Sequence, residues 1–292
     1  MATTVDIGGN SYQGARARQE DCFMAYRLTE TKPKASARYT TSNERQVNLG
    51  ILCDGMGGEG NGSICSRQAV QAFAEAFAET GSFDTAWYQR LRMALYAANA
   101  AILEYKINTN TENTNSGTTL IGAVISEEKL HYVSVGDSPM YLFRKQRNTG
   151  EYTASRINAS HSHWFHYFTE NGVKYKKEVS KDEADTINQH PSADSYCKPV
   201  GLYSAVCGSA IGYMDASGES GIDLLDGDII MLCSDGVSGT LDESDMTNII
   251  RNYSAPHHPA KEAAYQMIQA VKANAQARQD NASCIILKVH ID

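Results

Sequence analysis

The sequence predicts an α+β fold in which antiparallel sheet is covered by paired helices. Three observations carry that prediction. Apolar strand-like runs at about 118–126, 129–135 and 139–144 are joined by connections too short for a crossover helix, so neighbouring strands must run antiparallel. Two amphipathic helical patterns stand side by side ahead of these runs, and start signals at Asp242 and Pro259 place two more helices near the end of the chain. A strand pattern, Ala282 to Val289, closes the sequence, so strands and helices are grouped rather than alternating.

Taken in order, Leu49-Gly50-Ile51-Leu52-Cys53 reads as a buried strand and runs into Asp54-Gly55-Met56-Gly57-Gly58. Residues 63–79 place Ile64, Ala69, Val70, Phe73, Ala74, Phe77 and Ala78 at helical spacing. Thr85 to Lys106 repeats the pattern through Trp87, Leu91, Ala94, Leu95, Ala98, Ile102 and Leu103. The three strand runs come next. The stretch from about 158 to 207 has no clean period and is rich in Tyr, His, Lys and Ser, so an irregular, flap-like surface insertion is expected there. Ile229 to Ser234 is a second apolar strand and ends in Asp235-Gly236. Asp242 is placed to cap a helix over about 243–252, and Pro259 to open another reaching about Arg278.

At 292 residues the chain can bury a sizeable core, and without a linker, composition shift or internal repeat a single domain over 1–292 is expected. The 26 basic and 34 acidic residues give a net charge of -8, which argues against a nucleic-acid-binding surface. Met1 to Asp6 carries no leader pattern and no apolar run reaches membrane-spanning length, so a soluble, cytoplasmic protein without membrane contact is expected. Seven cysteines, scattered without a Cys-x-x-Cys pair, fit a disulfide framework poorly; Cys53, Cys233 and Cys284 read as small buried hydrophobes in a reducing compartment.

Any single Asp-Gly is a common turn dipeptide. The pattern gains meaning because Asp54, Asp137 and Asp235 end strand patterns while Asp280 precedes one, which would bring four carboxylates to one rim of a sheet assembly. Carboxylates fixed at such positions repel one another, and a hard divalent cation with oxygen ligands is the simplest partner. An oxygen-only set suits Mg²⁺ or Mn²⁺ and excludes a thiolate zinc site.

Six stretches add to this: Arg16-Ala17-Arg18-Gln19-Glu20-Asp21, Asp54-Gly55-Met56-Gly57-Gly58, Ser116-Gly117-Thr118-Thr119, Val135-Gly136-Asp137-Ser138, Ser234-Asp235-Gly236 and Asp280-Asn281-Ala282. In these, and in their order along essentially the whole chain, the sequence resembles the metal-dependent PP2C-type protein Ser/Thr phosphatases (the PPM family), bacterial members in particular. The resemblance implies a four-layer αββα sandwich, two antiparallel β-sheets flanked by helix pairs, with Mn²⁺ or Mg²⁺ at one edge, two per chain. Carried across, Asp54 bridges both metals and the Gly55 carbonyl joins the coordination of one. Asp235 and Asp280 complete the first site, and Glu20 lies near the second. Asp21 holds bound water or orients the cluster, Asp137 helps bind the third, looser metal of bacterial members, and Arg16 binds phosphate. The implied reaction is hydrolysis of phosphoserine and phosphothreonine in proteins by a metal-activated water, without a covalent intermediate. The implied partner is a phosphorylated protein, a Ser/Thr kinase or its target among them.

The chain departs from the family at Met56, where many members carry a histidine that serves as a candidate proton donor; methionine cannot protonate a leaving group. Arg18 competes with Arg16, but the spacing to Glu20-Asp21 favours Arg16. His161, His163 and His166 have a spacing that suggests a transition-metal site, yet no cysteine or carboxylate pair stands nearby; His161 reads as a residue that could approach the active-site mouth. Lys174, Lys176 and Lys177 read as a solvated face ahead of a contact for an acidic phosphopeptide. Asp137 could also cap the turn before Pro139. Two other functions stand against the leading one. A catalytically silent binding module would show substitutions among Glu20, Asp54, Asp235 and Asp280, all of which are present. A hydrolase of small phosphoesters using cysteine or aspartyl-phosphate chemistry lacks its nucleophile loop.

Overall fold

Three layers of buried apolar side chains, separated by two β-sheets, organise the molecule. The computed structural model describes residues 3–31, 44–57, 61–80 and 86–292. Gly58 of the glycine run and Thr85 at the expected start of the second helix lie outside these residues. Among the described residues the chain runs β1 (Thr3–Tyr12), β2 (Asp21–Thr31), β3 (Glu44–Met56), α1 (Asn61–Glu79), α2 (Trp87–Thr109), β4 (Gly117–Thr118), β5 (Leu120–Ser126), β6 (Lys129–Val135) and β7 (Met140–Lys145). It continues with β8 (Tyr152–Arg156), β9 (Ser162–Glu170), β10 (Val173–Val179), α3 (Lys181–Asn188), β11 (Ser195–Leu202), β12 (Asp215–Ala216), β13 (Ile222–Asp223), β14 (Ile229–Cys233), α4 (Asp235–Ser238), α5 (Glu243–Asn252), α6 (Ala260–Ala273) and β15 (Ala282–Ile291).

One central sheet has the order β1-β15-β14-β7-β8; the other has the order β12-β6-β5-β3-β2, with β13 on β6 and β4 on β3. The pairings within them are antiparallel, as the short connections require. The apolar strands are hydrophobic on both faces because both faces are covered. In β3, Leu49, Ile51 and Cys53 point to a core shared with α1 and α2, while Leu52 joins the core between the sheets. In β15, Cys284 and Ile286 face α5 and α6, while Ile285, Leu287 and Val289 face the other sheet. Each such side chain stabilises the fold by about 1.5–3 kcal/mol when taken from water. The result is helices, sheet, sheet, helices, the layered α+β arrangement the sequence predicts.

Local signals place the helices well. The Asp242 carboxylate accepts the Asp245 N–H at 2.8 Å and caps α5 as expected. Helix α6 opens after Pro259 but stops at Ala273 rather than near Arg278, since beyond Val271 no apolar residue at helical spacing is buried. The run read as one strand over 118–126 is broken at Thr119, whose backbone and hydroxyl are both engaged with Asp54. Strands β1, β2 and β8 have no clear counterpart in the sequence reading.

The largest correction concerns 158–207. That stretch is not irregular: it folds as a third antiparallel sheet, ordered β10-β9-β11, with α3 packed on it. Strand β10 is exposed along nearly its whole length, so it has no contrast between a wet and a dry face for a period to report. The signal that was present is the capping box of α3. The Ser180 Oγ accepts the Glu183 N–H at 3.1 Å, and the Glu183 carboxylate accepts the Ser180 N–H at 3.0 Å. The flap sheet is fastened at both ends to the central assembly. His161 N–H donates to the Gly136 carbonyl at 3.0 Å, and Val206 and Thr118 exchange hydrogen bonds of 2.9 and 3.0 Å.

Candidate metal centre

The strand ends place the acidic residues by register. Asp21 at the start of β2 lies directly opposite Asp54 near the end of β3, and the Gly55 N–H donates to the Glu20 carbonyl at 3.1 Å. The backbone of Asp54 is clamped on its other side. Its N–H donates to Thr119 Oγ1 at 2.9 Å, and its carbonyl accepts from the Thr119 N–H and the Thr118 hydroxyl, each at 2.9 Å. Asp235 follows β14 and opens the short turn α4, while Asp280 lies two residues ahead of β15. Close backbone approach demands glycine at two points. A Cβ on Gly55 would lie 2.3 Å from the Gly62 carbonyl oxygen, and one on Gly236 would lie 1.9 Å from that of Asn281.

These segments converge. A cavity of about 460 Å³ is lined by Arg16, Glu20, Asp54, Gly55, Asp137, Asp235 and Asp280, together with Met56, Gly57, Thr119 and Leu202. Seven of the eight residues singled out from the sequence thus reach one chamber, Asp54 and Asp280 among them. The eighth, Asp21, lies behind the wall: it is buried, its Oδ2 accepts from Ser234 Oγ at 2.8 Å, and its Oδ1 has no partner among the described residues. As they stand, no three His, Cys, Asp or Glu side chains among the described residues close onto a single point. The acids line a common space instead of forming a tight cage, as mutually repelling carboxylates do.

The electrostatics follow from that crowding. Burial, then Asp21 and Asp235, hold the Asp54 carboxyl well above the usual carboxylate range. Burial pushes Asp235 up to about 6, with Asp137 and Asp280 adding to it. Asp235 opens to solvent on the cavity side, but the protein mass around it still dominates. Asp21 is also pushed up to about 6 by burial, against the hydrogen bond from Ser234. Glu20 is raised by burial, which the Arg16 charge partly offsets. Among the described residues Arg16 is the one basic side chain lining the cavity, and it is ion-paired with Asp280, which strengthens its own proton affinity. An all-oxygen donor set, an excess of negative charge around one cavity and an orphaned carboxylate oxygen behind its wall fit a hard divalent cation.

Several residues that hold the centre together have no role in the sequence reading. Asn281 accepts the Glu20 N–H at 2.8 Å through Oδ1, and its Nδ2 donates to the carbonyls of Gln13 and Arg18 at 2.7 and 3.0 Å. It therefore ties the Arg16 to Glu20 loop to the start of β15. Ser234 passes the Ser283 N–H at 2.9 Å on to Asp21. Ser162, the first residue of the flap sheet, donates to Asp137 Oδ2 at 2.8 Å. The stretches Asp280-Asn281-Ala282 and Ser234-Asp235-Gly236 were visible signals for the first two; Ser162 left none.

The histidines do not meet. His161 is fully buried and absent from the cavity lining, with Nδ1 accepting the Gly136 N–H at 3.0 Å, so it does not reach the active-site mouth. His163 contacts Glu178 and His166 contacts Ser195. Arg18 supplies a carbonyl to Asn281 and does not line the cavity, which leaves Arg16 alone there. All seven cysteines are free, and Cys53, Cys233 and Cys284 are buried as expected. Among the described residues no helix is long and apolar enough to cross a membrane.

Comparison with known proteins places this arrangement. A family model described as Protein phosphatase 2C matches residues 35–276. The Serine/threonine phosphatase stp of Listeria welshimeri is 25% identical over 251 residues, covering 84% of this chain and 86% of the relative. The crystal structure of the Mycobacterium tuberculosis serine/threonine phosphatase PstP/Ppp superposes with a TM-score of 0.66 at 21% identity, covering 98% of this chain and 99% of that one. The catalytic domain of PstP in complex with 2 manganese ions gives a TM-score of 0.65 at 20% identity over 99% of this chain and 100% of that one.

Proposed function

The chain belongs to the protein phosphatase 2C family, and from that premise we propose that its acidic cavity removes phosphate from phosphoserine and phosphothreonine in proteins. One observation carries the reading: Glu20, Asp54, Asp235 and Asp280, drawn from four distant segments, line a single cavity with Arg16 among them. Asp54, Asp235, Asp280, Glu20 and the Gly55 carbonyl would hold two Mn²⁺ or Mg²⁺ ions, Asp21 would support them from behind, and Asp137 would contribute to a third. Bound there, a divalent pair lowers the pKa of water and screens the charge of an approaching phosphate.

The chain's own groups do the rest. The Arg16 guanidinium, with one edge on Asp280, is placed to turn its planar fork toward phosphoryl oxygens and orient the ester. Thr118 and Thr119 fix the backbone of Asp54, with Ser138 bonded to the Thr119 hydroxyl, so its carboxylate does not have to be positioned during the reaction. Among the described residues no histidine lines the cavity and Met56 cannot donate, so a proton for the departing serine or threonine oxygen has to come from water or from another group of the chamber. The substrate is a phosphorylated protein, with a Ser/Thr kinase or its target as candidate, in the cytoplasm. The test is Mn²⁺-dependent turnover of a phosphothreonine peptide by wild type and Asp235→Asn. The variant is expected to lose activity by about a hundredfold or more; full activity in the variant would remove the metal assignment.

A further inference from the structure

The outward face of the flap sheet carries a lysine and aromatic surface that the chemistry in the cavity does not use. In antiparallel strands, residues directly opposite one another share a face. Lys174 lies opposite Thr169, Lys176 opposite Tyr167, Tyr196 opposite Tyr167 and Lys198 opposite Phe165. Three lysines from two edge strands therefore share one face with Phe165, Tyr167 and Tyr196. Lys177, opposite His166, is on the other face, toward α3, where Lys181 covers Trp164 and Cys197 is buried. The run of lysines in the sequence is thus split, and Lys198, distant in sequence, replaces Lys177 in the group.

On the outward face the Lys176 ammonium stands 3.9 Å from the Phe165 ring centroid and the Lys198 ammonium 5.0 Å from that of Tyr167. Tyr167 and Tyr196 stack at 5.3 Å. None of Lys174, Lys176 and Lys198 is ion-paired among the described residues. The one carboxylate that β9, β10 and β11 place on this face, Glu178, is held by His163 at 2.7 Å. On a chain of net charge -8, this is a local field of opposite sign with a flat aromatic floor. The sheet also starts at the cavity: Ser162 bonds Asp137, and Leu202 lines the chamber.

We propose that this face docks an acidic segment of the phosphoprotein substrate, the lysine ammoniums meeting carboxylates while the rings supply apolar contact. The inference rests on the phosphatase reading of the cavity. At about 3.3 Å per extended residue, acids roughly four to eight positions from the phosphorylated residue lie within reach of Lys198, Lys176 and Lys174 in turn.

The experiment measures fluorescence anisotropy of a labelled, unphosphorylated peptide bearing an Asp/Glu cluster, against its Asn/Gln counterpart. Wild type is expected to prefer the acidic peptide at low salt and to release it at 0.5 M salt, about three times physiological ionic strength. The triple variant Lys174→Gln, Lys176→Gln, Lys198→Gln is expected to bind about tenfold more weakly, while Lys177→Gln binds as wild type. With a phosphothreonine peptide carrying the cluster, the triple variant should show a raised KM, an unchanged kcat and normal turnover of a small aryl phosphate. Equal binding by wild type and triple variant, an equal loss in Lys177→Gln, or stronger binding to a single-stranded oligonucleotide or anionic vesicles would overturn the proposal. Failure of the phosphatase reading would appear instead as absent peptide hydrolysis with this binding intact.

Discussion

The central sheets and the flap sheet are built from the same antiparallel strand, yet they spend their side chains in opposite ways. Strand β5 is buried at every position, whereas β10 is exposed at all but its last residue. The rim of the central sheets gathers carboxylates with one arginine; the outward face of the flap gathers lysines and rings. Burial on both faces fixes the acids against their repulsion, so the rim has the position of its charges set by the core. The flap has little core of its own and keeps its charges adjustable. Chemistry that depends on sub-ångström placement belongs on the first, and contacts that must accept varied sequences on the second.

The sharpest way to break this contrast is Asp54→Asn. Turnover with Mn²⁺ is expected to fall by more than about a hundredfold, while without divalent ions the melting temperature rises, because a buried like charge has been removed. Next, Ile285→Ala in the layer between the sheets should cost about 2–5 kcal/mol in urea unfolding. Asn281→Ala should cost ten- to about a hundredfold in activity, with the Arg16 to Glu20 loop gaining hydrogen-exchange freedom, since one amide donor and two carbonyls lose their partner.

A pH series probes the same rim. Asp21 and Asp235 are pushed up to about 6 in the folded protein, above the ordinary 3.8. The folded state therefore keeps protons that the unfolded chain has lost between about 4 and 6. Their stabilising contribution is complete below 3.8 and is lost as pH rises through about 6. Thermal melts without divalent ions should show that trend from these groups, and Mn²⁺ affinity should move the other way, weakening as pH falls below about 6. The smallest effect is reserved for the flap edge, where Val173→Ala should change stability by less than about 0.5 kcal/mol.

How far the sequence reveals each region follows from the same difference. Helices α1 and α2 were legible because each has one dry face and α5 because Asp242 marks its start, while Asp54, Asp137, Asp235 and Asp280 were legible because they end or precede apolar strand patterns. Strand β1 was hidden by Gly8 and Gly9, which are there because α6 and Phe23 press against it: a Cβ on Gly8 would meet the Lys261 backbone at 2.2 Å. The flap strands were hidden because nearly everything on them is wet, and only the Ser180 to Glu183 capping box marked an element inside. In the centre, Asp54, Asp235 and Asp280 stand out by their places at strand ends and starts, and Glu20 is named through the family resemblance of its segment. Ser162 could not be named, because an isolated serine bonded across more than 20 residues leaves no pattern in one sequence, and Ser234, though part of the Ser234-Asp235-Gly236 stretch, showed nothing of its bond to Asp21.

The bond from Ser162 to Asp137 has a mechanical consequence. Strand β9 cannot swing away from the body of the molecule without either breaking that hydrogen bond or dragging an acid of the cavity wall with it. A partner that pulls on the outer sheet thus tugs, through the Ser162 hydroxyl and the His161 bonds to Gly136, on the wall of the acidic chamber.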